Sequence, residues 1–185
     1  MLPFIKVDDF NVDNLLVDYN SKPDGLTTEL KLGTINLTNI LANVAKNQYE
    51  TEDLIFTDSR IKLNLTAEET LIEDKSAVTN FEWPEFILAA KNIEIQKNSV
   101  TYSLNNTHQN KNLFDANAFQ FQQLQLLASN FEYQPEKFNL HVSKFSFSEP
   151  SGINLNQLAF NAGLTDTYAS LSDVALQINQ SSAEA

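Results

Sequence analysis

Four times along 185 residues the apolar side chains fall in the order apolar-x-apolar-x-x-apolar-x-apolar. They do so at Leu30, Leu32, Ile35 and Leu37, at Phe119, Phe121, Leu124 and Leu126, at Leu140, Val142, Phe145 and Phe147, and at Ile153, Leu155, Leu158 and Phe160. Alternation with period 2 marks a strand with one buried face. The doubled interval in the middle would turn the second half of such a strand to the opposite face unless the backbone bulges or bends there. Each cassette is therefore one bent strand, or two short ones, that keeps a single apolar face turned inward. The intervening residues are mostly Asn, Gln, Ser, Thr, Lys and Asp, so the other face meets water.

The pattern extends to an internal repeat. Phe10-x-Val12 followed by Val17-x-Tyr19 parallels Ile93-x-Ile95 followed by Val100-x-Tyr102, an offset of 83 residues, and Leu2-Pro3-Phe4-Ile5 ahead of the first resembles Trp83-Pro84-Glu85-Phe86 ahead of the second. After each tyrosine come a polar loop, a full cassette, and a further apolar alternation, through Leu54, Phe56, Ile61, Leu63 and Leu65 in one copy and Phe138 to Phe147 in the other. The period is that of a supersecondary block, not of a short solenoid rung. Two blocks, 1–80 and 81–185, in one continuous unit are the expected organisation.

Nearly everything reads as strand. The expected strands cover 4–19, 27–38, 52–65, 86–103, 117–133, 137–148, 152–161 and 168–179, divided by Asn, Asp, Gly and Pro clusters. Thr38 to Lys46 has a spacing compatible with a short helix, and Thr66 with Glu69 resembles a capping box. Glu50, Glu52, Asp53, Glu68, Glu69, Glu73 and Asp74 read as solvated charge of loops and helix ends. The fold class expected is all-β, an elongated antiparallel-type sheet with one or two short helices. An ordinary sandwich or barrel core would use the same alternation. A leucine-rich repeat fits poorly, because the cassettes are spaced irregularly.

Charge and composition exclude several functions. Twelve Lys and Arg against 24 Asp and Glu give a formal charge of -12, and Arg60 is the sole arginine, so the chain lacks the basic surface that nucleic acid needs. Without cysteine there is neither a disulfide nor a thiolate metal site. Met1 to Phe10 holds Pro3, Asp8 and Asp9, which a secretory or membrane-spanning segment would not carry, and a slice of a longer protein is the expectation. His108 stands in an Asn-rich loop and His141 at an outward position between Leu140 and Val142. No His-Glu-x-x-His, Gly-x-Ser-x-Gly or phosphate-cradling glycine loop is present, so no enzyme, cofactor or metal centre is expected.

Phe114-Asp115-Ala116-Asn117 leading into Phe119-x-Phe121-x-x-Leu124-x-Leu126, and Phe145-Ser146-Phe147-Ser148-Glu149-x-Ser151-Gly152-Ile153-x-Leu155, resemble the TamB and AsmA-like envelope proteins. The strand pair Ile93-x-Ile95 and Val100-x-Tyr102 is also similar to their recurrent strands. The resemblance implies a sheet curled into an apolar groove, a β-taco, in a periplasmic segment of a protein anchored in the inner membrane of diderm bacteria. It implies phospholipid or another acyl-chain ligand, carried between inner and outer membranes in support of outer-membrane biogenesis. Outer-membrane assembly proteins are the other implied partners, met by β-augmentation of a sheet edge. The lining expected for such a groove is Val12, Val17, Leu30, Leu32, Ile35, Leu37, Ile93, Ile95, Phe119, Phe121, Leu124, Leu126, Leu140, Val142, Phe145, Phe147, Ile153, Leu155, Leu158 and Phe160.

Overall fold

A computed structural model describes residues 3–66, 83–110 and 113–184. The described residues are all-β: twelve strands form one large mixed sheet that curls without closing. The strands are β1 (Phe4–Asp13), β2 (Leu16–Ser21), β3 (Leu26–Lys31), β4 (Thr34–Asn43), β5 (Gln48–Thr57), β6 (Arg60–Leu65), β7 (Ile87–Leu104), β8 (Ala118–Gln134), β9 (Lys137–Ser148), β10 (Asn154–Thr165), β11 (Ala169–Ile178) and β12 (Ser181–Glu184).

The first six strands are three tracks, each broken once. β1 with β2, β4 with β3, and β5 with β6 lie side by side, and each track runs over 18 positions, the length of the unbroken β7. The order across the sheet is then β1–β2, β4–β3, β5–β6, β7, β8, β9, β10, β11, β12. Hairpin turns make almost every neighbour antiparallel. The exception corrects the antiparallel expectation: β5 and β6 both pair with β7 in parallel, Leu54 beside Ile93 and Ile61 beside Val100. A parallel step requires the chain to return to the starting end of the sheet, which it does between Leu65 and Ile87.

Five breaks in the alternation lie in a line across the first five tracks, while the doubled intervals of β9 and β10 fall outside it. Asn14, Asp58, Lys97 and Gln123 take positive φ (55°, 56°, 54° and 51°), one in each of four tracks, and Gly33 holds the corresponding place in the remaining one. The left-handed region shifts the backbone by one residue and lets the apolar alternation resume on the same face. Two residues of this line are polar and fully enclosed, Ser59 and Asn98. Asn98 Oδ1 accepts from the Ser59 N–H at 2.7 Å and its Nδ2 donates to the Phe56 carbonyl at 2.9 Å. Ser59 Oγ accepts from the Gly33 N–H and donates to the Thr57 carbonyl, both at 3.0 Å. Backbone groups freed by the break are thereby paired, as buried amides must be. Gly33 is required by close approach, since a Cβ there would stand 2.6 Å from the carbonyl oxygens of both Thr57 and Asp58.

Asparagine abundance has a structural use. Among the described residues, seven of the non-glycine positions with positive φ are asparagine and two are aspartate. Their short polar side chains tolerate that region better than other L residues do.

Two local expectations change. Thr38 to Lys46 is no helix: residues through Asn43 complete β4, and Val44–Lys46 form a single 3-10 turn. Pairing of β4 with both β1 and β5 outweighs the weak helical spacing. Glu50, Glu52 and Asp53 are not loop charge but belong to β5. The capping box at Thr66 and Glu69, with Glu68, Glu73 and Asp74, lies outside the described residues apart from Thr66.

Candidate functional site: the apolar face

Strand register places the apolar side chains in rows that cross the whole sheet. One row runs Phe10, Leu37, Leu54, Ile93, Ala128, Val142, Phe160. The next runs Val12, Ile35, Phe56, Ile95, Leu126, Phe145, Leu158. Beyond the bend, Val17, Leu30, Ile61, Val100 and Phe121 form a third. Directly paired residues share a face, so these rows make one apolar surface. Phe119 stands beside Tyr102, Leu124 beside Asn98, Leu140 beside Ala162, and Leu155 beside Phe147.

All the residues singled out in the sequence lie in strands except two. Leu32 sits at the break between β3 and β4, where its N–H donates to the Leu15 carbonyl at 2.8 Å, and is almost fully covered. Ile153 lies in the turn from β9 to β10 and accepts from the Glu149 N–H at 2.8 Å.

Aromatic rings run diagonally through the second half of this surface. Phe114 stacks near Phe119 at 6.1 Å, Phe119 meets Phe121 at 4.7 Å, Phe121 meets Phe147 at 4.2 Å, and Phe147 meets Phe145 at 5.7 Å. At the other end Trp83 and Phe86 pack on Tyr133, whose hydroxyl donates to the Pro84 carbonyl at 3.1 Å.

Little covers the rows between these ends. Among the described residues every extensive contact between strands is with a sheet neighbour, and only six apolar residues are buried: Leu32, Ala90, Ala118, Ala128, Val142 and Leu155. Three of the six are alanines, and every residue of the three rows other than Ala128 and Val142 is half-buried or exposed. A sandwich would bury such a face against a second sheet about 10 Å away. Here the described strands build a single layer.

The opposite face is a lattice of polar pairs. Thr38 Oγ1 and Asn92 Nδ2 both donate to Asp53, at 2.9 and 2.8 Å, while Asn39 Nδ2 and Lys91 Nζ both donate to Glu52, at 2.7 and 2.9 Å. Hydrogen bonds from Asn92 and Thr38 hold the Asp53 carboxyl below its ordinary pKa, and those from Lys91 and Asn39 do the same for Glu52. His141 Nδ1 lies 2.5 Å from Asn161 Oδ1, and Asn161 Nδ2 donates to Asp173 at 2.5 Å, so this outward histidine is one rung of a ladder. His108 is exposed in its loop. Among the described residues no group of three or more His, Asp or Glu side chains is arranged to hold a metal ion.

Two of the concavities among the described residues lie at opposite kinds of surface. A bay of about 780 Å³ at one end of the sheet is lined by Trp83, Pro135, Leu164 and Thr165 with Glu85, Glu136 and Asp166. Another of about 420 Å³ follows the bend and is lined by Arg60, Lys62, Lys97 and several glutamines and serines. Neither pairs a nucleophile with a base.

Sequence reasoning missed Ser59 and Asn98, although a signal for both exists. Leu54-x-Phe56-x-x-Ser59-x-Ile61 and Ile93-x-Ile95-x-x-Asn98-x-Val100 are cassettes with a polar residue in the third apolar place. Leu54, Phe56 and Ile61 belong to the same rows, and Leu63 stands beside Tyr102. Comparison of the chain with protein-family models, with curated proteins and with solved structures finds no match to any of them.

Proposed function

We propose that this chain is a non-enzymatic segment of an AsmA/TamB-like envelope protein, and that its apolar face is the wall of a groove carrying phospholipid acyl chains between membranes. The observation that carries the reading is the set of unlayered apolar rows spanning the sheet from β1 to β10. A soluble monomer leaves only a few hundred Å² of contiguous apolar surface open, and fully covering each large side chain of such rows contributes roughly 1.5–3 kcal/mol. Acyl chains are suited to this wall. It offers continuous aliphatic and aromatic side chains with no polar pocket that would hold a tail at one place, while head groups stay in water and need no basic site. On this reading the segment is periplasmic, belongs to a protein anchored in the inner membrane, and serves outer-membrane biogenesis. Transport is then passive sliding, with direction set outside the segment.

Photo-crosslinking amino acids placed at Phe121 and Leu124 test the proposal in cells. Lipid adducts are expected at both, and none at Gln120, which pairs with Thr101 on the polar face. Equal capture at all three positions, or none at Phe121 and Leu124 while a known lipid carrier is labelled, overturns it.

A further inference from the structure

The edge formed by β1 and β2 has the backbone of an interior strand. Phe4 to Ser21 and Ile87 to Leu104 are equal in length and 83 residues apart, and their left-handed residues, Asn14 and Lys97, fall at the same place. Each pairs antiparallel on one side with the strand that follows it in the sheet, β1–β2 with β4–β3 and β7 with β8. On its other side β7 is covered by β5–β6 in parallel register, and among the described residues no strand pairs with β1–β2 there. The difference is visible in the side chains: Phe10, Val17 and Tyr19 are 47, 39 and 50% exposed, whereas Ile93, Val100 and Tyr102 are all half-buried.

We propose that the β1–β2 edge is a docking site for a strand of the β5–β6 type, supplied by another block of this repeat and paired in parallel. The occupant's chemistry follows from the pairing already present inside the chain. Moving the β5–β6 register onto the first track sets Phe56 beside Val12 and Leu63 beside Tyr19, which continues the apolar rows. It also sets Glu50 beside Lys6 and Lys62 beside Asp18, two opposite-charge pairs on the edge, against two like pairs, Asp53 beside Asp9 and Glu52 beside Asp8, so the apolar rows and the backbone equivalence, not charge, name the occupant. Main-chain hydrogen bonds supply the affinity of such an added strand and alternate side chains its register. Nothing in this inference depends on what covers the apolar face.

The chain has no cysteine, so single thiols report register directly. A peptide of residues 48–65 carrying Phe56→Cys or Leu63→Cys is added to protein carrying Val12→Cys or Tyr19→Cys under oxidising conditions. Disulfides are expected for Val12 with Phe56 and Tyr19 with Leu63, and not for the crossed pairs, which report antiparallel docking. With unmodified peptide at about ten times its Kd, amide exchange of residues 4–21 slows roughly tenfold, and a scrambled peptide leaves it unchanged. Crossed disulfides, disulfides with a thiol at Leu171 on the opposite edge, or no disulfide in a chain that keeps its β circular dichroism each overturn the proposal. Lipid capture at Phe121 is read independently, so either proposal can fail alone.

Discussion

β1–β2 and β7 carry the same spacing, Phe10-x-Val12-x-x-Leu15-x-Val17-x-Tyr19 and Ile93-x-Ile95-x-x-Asn98-x-Val100-x-Tyr102, yet they live in different surroundings. β7 has a paired strand on each side and passes through the bend unbroken, while among the described residues the first track has one neighbour, and it divides into two strands. At the third apolar place the edge track has Leu15, 43% exposed, and the interior strand has Asn98, enclosed and fully hydrogen-bonded. In β5–β6 and β7 the break leaves enclosed amides, and Ser59 and Asn98 pair them. At the edge water does that, and a leucine is tolerated.

The largest expected break in this contrast is Asn98→Ala. It strands the Ser59 N–H and the Phe56 carbonyl inside the bend, and stability should fall by about 2–4 kcal/mol, read from denaturant midpoints. Leu15→Ala, at the matching edge position, should cost no more than about 1 kcal/mol, the range for a half-exposed side chain. Equal losses would mean that the bend is held by side-chain volume and not by its hydrogen bonds.

A smaller difference is expected one pair further along. Val100 lies between Ile61 and Phe121, whereas Val17 has only Leu30 beside it. Val100→Ala should cost about 1–2 kcal/mol and Val17→Ala roughly half of that. Docking of a strand on the β1–β2 edge would raise the second value toward the first.

Acid should act locally. Glu149, almost enclosed at the turn into β10, is raised by burial, but the Ser151 hydroxyl and N–H, together with Gln109, outweigh that and hold its carboxyl below the usual value. Because the folded form binds the proton less readily, the clamp is at full strength above the unfolded pKa, about 4.3 for glutamate, and is lost as pH falls through the depressed folded value. Amide exchange around Gln109 and Ser151 should rise below about pH 4, and Glu149→Gln should flatten that rise. The smallest effect is expected at Lys91→Met. Lys91 and Glu52 are both exposed, and pairs of that kind add little to stability, so the denaturant midpoint should not move measurably.

Strand positions were legible because period 2 is a property of local sequence. The expected 137–148 coincides with β9, and most other ends fall within a few residues. The one-sided character of the cassettes was also legible, since each doubled interval demands a bulge wherever the strand lies. Parallel pairing of β5–β6 on β7 was not. Hairpin spacing argues for antiparallel neighbours, and nothing between Leu65 and Ile87 states on which side of the sheet the chain re-enters. Asn98 and Ser59 escaped notice because composition counts them as outward polar residues, and only the alignment of five breaks in one line encloses them.

The sequence by itself determined an all-β chain whose strands bend while keeping one apolar face, because alternation and its interruption act over a few neighbouring residues. Only the tertiary structure decided that five of the bends form a line, that one step across the sheet is parallel, and that among the described residues the first track is an edge where its 83-residue counterpart is interior. Those are matters of which strand lies beside which. Pairing between distant segments is set by the free energy of the whole sheet, in which every row of side chains must be matched at once, and no local pattern carries that information.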